Sequence, residues 1–91
     1  MELDGVFDLS AARALDQAVD SVKRGSSLSV DFRRVHDFHD VGLAVLARTI
    51  QRSREEVELD VRGLRDRQHR MLRYFGVVLS GHGVLGDAAT P

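Results

Sequence analysis

Asp31-Phe32-Arg33-Arg34-Val35-His36-Asp37-Phe38-His39-Asp40-Val41-Gly42-Leu43-Ala44-Val45-Leu46 is the stretch whose reading decides the fold. Leading into it, Leu28, Val30 and Phe32 alternate with Ser29 and Asp31, the period of a half-buried strand. From Leu43 the period changes: Leu43, Leu46, Ala47 and Ile50 recur at i, i+3, i+4 and i+7, the apolar stripe of a helix. His36-Asp37-Phe38-His39-Asp40 lies between the two and reads as a charged turn, with an Asp placed to cap the helix by accepting N–H bonds from its first turn. A helix start carries unsatisfied donors and a partial positive charge, so the corner suits an acidic group or a phosphate. A working site is expected here.

Upstream of the corner, Met1 to Phe7 reads as a short strand with Leu3, Val6 and Phe7 as its apolar content. Ser10 is the expected N-cap of a helix striped by Leu15, Ala18, Val19 and Val22, with Gly25 at its C′ position after Lys23 and Arg24. Downstream, the corner helix runs from about Val41 to Arg52, and Val57, Leu59 and Val61 alternate as a third strand closed by Gly63. Leu64, Gln68, Met71, Leu72 and Phe75 stripe a last helix that Gly76 terminates, and Val77-Val78-Leu79 is expected as a fourth short strand. Ser80 to Pro91 holds three of the eight glycines and the only proline, the composition of a flexible tail.

Strands that alternate with helices predict an α/β layer with right-handed crossovers. Because the strands alternate apolar and polar residues, helices are expected mainly on one face of an about four-stranded sheet. Residues 1–79 form the domain in this reading, and 80–91 the tail.

The chain has 91 residues, enough for one core; a chain of this size buries about 60–65% of the surface that its unfolded form exposes. Apolar residues at 43% and charged ones at 30% are globular values. Thirteen basic against fourteen acidic residues give a net charge of -1, so no global field favours nucleic acid or an anionic membrane. Cysteine is absent, which removes disulfides, thiolate nucleophiles and Cys-based zinc sites and suits a reducing compartment. No apolar run has the length of a membrane span or of a signal-peptide core, so the expected location is the cytoplasm.

Two motifs resemble the STAS domain, the family named for sulphate transporters and anti-sigma factor antagonists. Gly5-Val6-Phe7-Asp8-Leu9-Ser10-Ala11-Ala12 is similar to the family's Gly-Glu-Leu-Asp followed by an alanine-rich first helix. Asp31 to Leu43 lies without a gap on Asp-Leu-Ser-Gly-Val-x-Phe-Ile-Asp-Ser-Ser-Gly-Leu, matching at Asp31, Val35, Gly42 and Leu43. The likeness covers roughly residues 3 to 79. The strand that usually precedes the first motif is missing, and the family's Asp-Ser-Ser is replaced by His39-Asp40-Val41. Asp40 then stands where antagonist members carry the serine that a partner kinase phosphorylates. A second alignment, with one residue deleted, puts Phe38 on the family phenylalanine and Asp40 on its aspartate. In both, the corner has no hydroxyl to phosphorylate.

Other chemistries compete for the same residues. His36, Asp37, His39 and Asp40 are legitimate metal ligands, but four neighbours within five residues seldom converge on one ion, and a solvated polar turn is the plainer reading. No Ser-His-Asp spacing, nucleophile elbow or lysine-bearing phosphate loop is present, so no enzyme and no cofactor are expected. Aspartyl phosphorylation would call for a second acidic cluster and a lysine; the single lysine is Lys23. Arg62, Arg65, Arg67, Arg70 and Arg73 could suggest nucleic acid, yet on a helix Arg62, Arg65, Arg70 and Arg73 spread around more than one face, and Glu55, Glu56, Asp60 and Asp66 lie close by. They read as a solvated helix with Arg stems over the core.

The resemblance therefore implies a non-catalytic bacterial protein-interaction module, an anti-sigma factor antagonist in transcriptional signalling that is not regulated by serine phosphorylation at the usual position. The partner would be a histidine-kinase-like anti-sigma ATPase, docked on His36, Asp37, Phe38, His39, Asp40, Val41 and Gly42. The alternative is a constitutive STAS accessory subunit of a lipid-transport ABC-type complex, bound to its ATPase subunit. A homodimer is compatible with either.

Overall fold

The structure is a computed structural model, and it describes residues 1–79. The expected tail, 80–91, lies outside the described residues. Three strands and three helices alternate: β1 (Glu2–Phe7), α1 (Leu9–Ser21), β2 (Ser27–Phe38), α2 (Asp40–Ser53), β3 (Glu58–Arg62) and α3 (Asp66–Tyr74). The sheet order is β1-β2-β3 and both pairings are parallel. Because the strands follow one another in a single direction, right-handed crossovers place α1 and α2 on the same face. The sheet has three strands among the described residues and not about four: Val77-Val78-Leu79 is not a strand, and Val77 is buried while Val78 is exposed.

Strand β2 continues six residues beyond Phe32, the end that its alternation suggests. Strict alternation from Val30 would turn Arg34 and His36 into the core. The register prevents this. Glu2 and Asp4 of β1 face Asp31 and Arg34 of β2, and Gly5 and Val6 face Val35 and Asp37, so β2 has an extra residue at two places. Each bulge resets the inward face, and Phe32, Val35 and Phe38, three apart, all turn inward. What reads as a charged turn at His36-Asp37-Phe38 is bulged strand.

Phe7, Phe32 and Phe38 meet beneath the ends of β1 and β2, with Phe7 edge-on to Phe32 at 5.1 Å and Phe38 at 6.0 and 5.9 Å from the other two. Leu15 and Val19 of α1, Leu43, Leu46, Ala47 and Ile50 of α2, and Leu72 of α3 complete one core with Val30, Val35 and Val61. The opposite face of the sheet is polar. There Asp31 pairs with Arg33 at 2.7 Å and Asp60 with Arg62 at 2.9 Å.

The helix ends refine the capping expectations. Asp8, not Ser10, caps α1, its Oδ1 accepting from the Ala11 N–H at 2.9 Å. That helix stops at Ser21, short of Gly25, whose N–H reaches the Glu56 carbonyl at 2.7 Å in the turn before β2. Gly76 does end α3: at a φ of 92° it takes the left-handed conformation that L side chains avoid. Its N–H bonds the Arg73 carbonyl and the Val77 N–H the Leu72 carbonyl, the pair of bonds of a Schellman ending.

Candidate functional site

In a parallel sheet, binding sites form outside the carboxyl ends of the strands. Here β1 and β2 end side by side, Phe7 opposite Phe38, and each gives way to a helix within one residue. The His39 N–H donates to the Phe7 carbonyl at 3.0 Å, tying the second corner to the first. Gly42, in the first turn of α2, completes the junction. A Cβ there would lie 2.7 Å from the Phe7 carbonyl oxygen and 3.1 Å from that of Asp8, so only glycine lets α2 seat against that backbone.

The seven expected site residues divide by exposure. His36, Asp37, His39, Asp40 and Val41 are exposed, whereas Phe38 is half-buried in the aromatic cluster and Gly42 is buried. Phe38 and Gly42 therefore shape the corner, and the other five present it. His39 Nε2 lies 3.6 Å from Asp37 Oδ2, with both side chains about half exposed. A surface pair of this kind contributes about 0–1 kcal/mol. Among the described residues, no three of His, Asp and Glu are arranged to hold a metal ion.

The Asp cap does not form. With β2 running to Phe38, the N-cap of α2 is His39, which makes no side-chain capping bond, and Asp40 is the first helical residue. Asp40 thus places its charge at the positive end of the helix dipole, a favourable position. Among the described residues its carboxylate makes no hydrogen bond or ion pair, so it faces outward unengaged. Beside it Val41 is 49% exposed, and Val6, cross-strand partner of Asp37, is 40% exposed. Val6 escapes a sequence reading because alternation alone does not tell which face of an edge strand is uncovered. Ser10, exposed in the first turn of α1, supplies a hydroxyl on the helix that starts at the same junction.

Beneath the corner, α1 and α2 are locked by polar contacts. The buried Thr49 hydroxyl donates to Asp16 Oδ1 at 2.7 Å, and Arg52 reaches Asp16 and Asp20 at 2.7 Å each. The Thr49 bond first, and Arg52 second, hold the Asp16 carboxyl below the usual carboxylate range.

The chain is thus a small α/β domain with a one-sided parallel sheet, whose adjoining strand ends meet at an exposed corner. The family model described as "Mlab, STAS domain" matches residues 1–78. The chain belongs to the STAS domain family, whose members are generally non-catalytic and usually mediate protein–protein interaction. No curated protein matches it. No helix among the described residues is long and apolar enough to cross a membrane.

Proposed function

We propose that this chain is a non-catalytic, anti-sigma factor antagonist-like module whose corner docks a histidine-kinase-like ATPase, with Asp40 fixing the charge that related antagonists switch by phosphorylation. One observation carries the reading. The carboxylate of Asp40 is exposed at the start of α2 beside the exposed Val41, on a backbone that Gly42 and Phe38 hold from behind. A charged rim around an apolar contact on a rigid support is the make-up of a protein interface. The expected location is cytoplasmic, where such a partner would be met.

A second reading, a constitutive accessory subunit on the ATPase of a lipid-transport ABC-type complex, is favoured by the composition of the corner. His36 to Gly42 contains no hydroxyl, so nothing in that stretch can be switched by a serine kinase. Calorimetric titration with a purified anti-sigma ATPase and with a purified ABC ATPase subunit from the same genome separates the readings. Saturable binding to the first that is lost in Val41→Asp supports the antagonist role, and binding to the second alone supports the accessory role. Binding to neither, or binding indifferent to Val41→Asp, overturns docking at the corner.

A further inference from the structure

Helix α3 presents a second face that the corner does not use. Arg67, Arg70 and Arg73 are exposed, and at 3.6 residues per turn they fall within about 120° of one another, centred opposite the buried Gln68 and Leu72. Successive arginines stand about 4.5 Å apart along the axis. Tyr74, on the same side, is 85% exposed, with its ring edge-on to Phe75 at 5.9 Å.

Arg24, Arg33, Arg34, Arg52 and Arg62 each have a carboxylate partner at 2.7–3.9 Å, while Arg13, Arg48, Arg54 and Arg65 have none among the described residues; what sets α3 apart is that three unpaired arginines share one helix face. Among the described residues no carboxylate forms an ion pair with Arg67, Arg70 or Arg73. Asp66, the only acid in α3, is exposed in the same sector four residues before Arg70 and forms no ion pair among the described residues, so the face keeps an excess of positive charge. Like charges at i, i+3 repel along a helix, so an acidic ligand on this face relieves a repulsion that the isolated domain retains. Arginine and exposed tyrosine are also the side chains most enriched where protein interfaces concentrate their binding energy.

The face is remote from the corner. Gln51 Nε2 donates to the Phe75 carbonyl at 3.2 Å, fixing the end of α3 to the last turn of α2. Eleven residue steps along α2, from Asp40 to Gln51, separate that end from the corner by about 17 Å. We propose that the outer face of α3 is a second docking surface, which takes an acidic segment of a partner protein and leaves the corner accessible. This assignment rests on residues independent of the corner reading. Nucleic acid fits less well. It carries one charge per about 1.7 Å over a rod longer than the about 13 Å of α3, so a duplex would leave most of its charge unmatched on this face.

The test is an NMR titration of the full 91-residue chain with a helical Ala/Glu peptide that carries Glu on one face, and in parallel with a 20-base-pair duplex. The expected result is peptide-induced shifts at the amides of α3 and none at the corner. Affinity should fall about tenfold in Arg67→Gln/Arg70→Gln/Arg73→Gln and several-fold in Tyr74→Ala, with circular dichroism unchanged. Arg70→Gln alone, at the centre of the face, gives the answer if the triple variant loses its helix. Shifts absent from α3, variants that bind as the parent does, or a duplex that binds α3 more tightly than the peptide each overturn the proposal.

Discussion

A Cβ atom placed on Gly42 would stand 2.7 Å from the carbonyl oxygen of Phe7, closer than real Cβ atoms approach backbone. The contact joins the first turn of α2 to the end of β1, and with the His39–Phe7 hydrogen bond it makes the two corners one rigid unit. Gly42→Ala gains up to about 1 kcal/mol in helix propensity, but the overlap with backbone costs about 1–3 kcal/mol. The expected outcome is a net loss of about 1–2 kcal/mol in urea unfolding, with faster amide exchange at His39. A neutral or stabilised variant would show that the corner is loosely seated.

Leu46 is buried at the centre of the apolar face of α2. Leu46→Ala should cost about 2–5 kcal/mol, most of the stability of a small domain. Thermal unfolding with calorimetric detection checks it, and a change within measurement error would mean that α2 faces the core in another register.

The two bulges explain why the middle of β2 is hard to read from residues alone. A period of two survives from Leu28 to Phe32, but Val35 and Phe38 follow at intervals of three, which in one dimension looks like a strand giving way to a turn. The helices are more legible because no insertion interrupts them: Leu43, Leu46, Ala47 and Ile50 are all buried as their spacing suggests. Val77 is apolar because it closes the core behind α3, not because it pairs in a sheet, and nothing local distinguishes those uses. At the corner the exposed charges were visible in the chain, whereas the inward role of Phe38 depends on a bulge, and the docking of Gly42 on a strand more than thirty residues away.

Asp16 gives a pH signature. Its carboxyl pKa is lowered in the folded state, first by the Thr49 hydroxyl and then by Arg52. A lowered folded pKa adds stability at pH above the unfolded value, about 3.9, and that contribution is lost as the pH falls through the folded value. Asp16→Asn should therefore be less stable than the parent by a constant amount above about pH 5, and the gap should begin to narrow below about pH 4 and shrink further as the pH falls. Because Arg52 and Asp16 are partly exposed, added salt should also narrow the gap. Parallel urea titrations from pH 3 to 7 read both effects, and a gap that is independent of pH would place the role of Asp16 outside this ion pair.

Asp40 is the residue on which the proposed docking turns. A phosphoserine at this position would set about -1.5 to -2 charges on the helix start, and on the proposed reading the single carboxylate of Asp40 stands in for part of that charge. The deciding measurement is calorimetric titration of a purified anti-sigma ATPase from the same genome against the parent chain, Asp40→Ser and Asp40→Lys, with circular dichroism as the folding control. All three should fold, Asp40→Ser should alter the affinity, and Asp40→Lys should bind more weakly than Asp40→Ser, by about tenfold or about 1.4 kcal/mol, since lysine also opposes the helix dipole. Equal affinities for the three folded proteins would remove the corner from the interface and contradict the account.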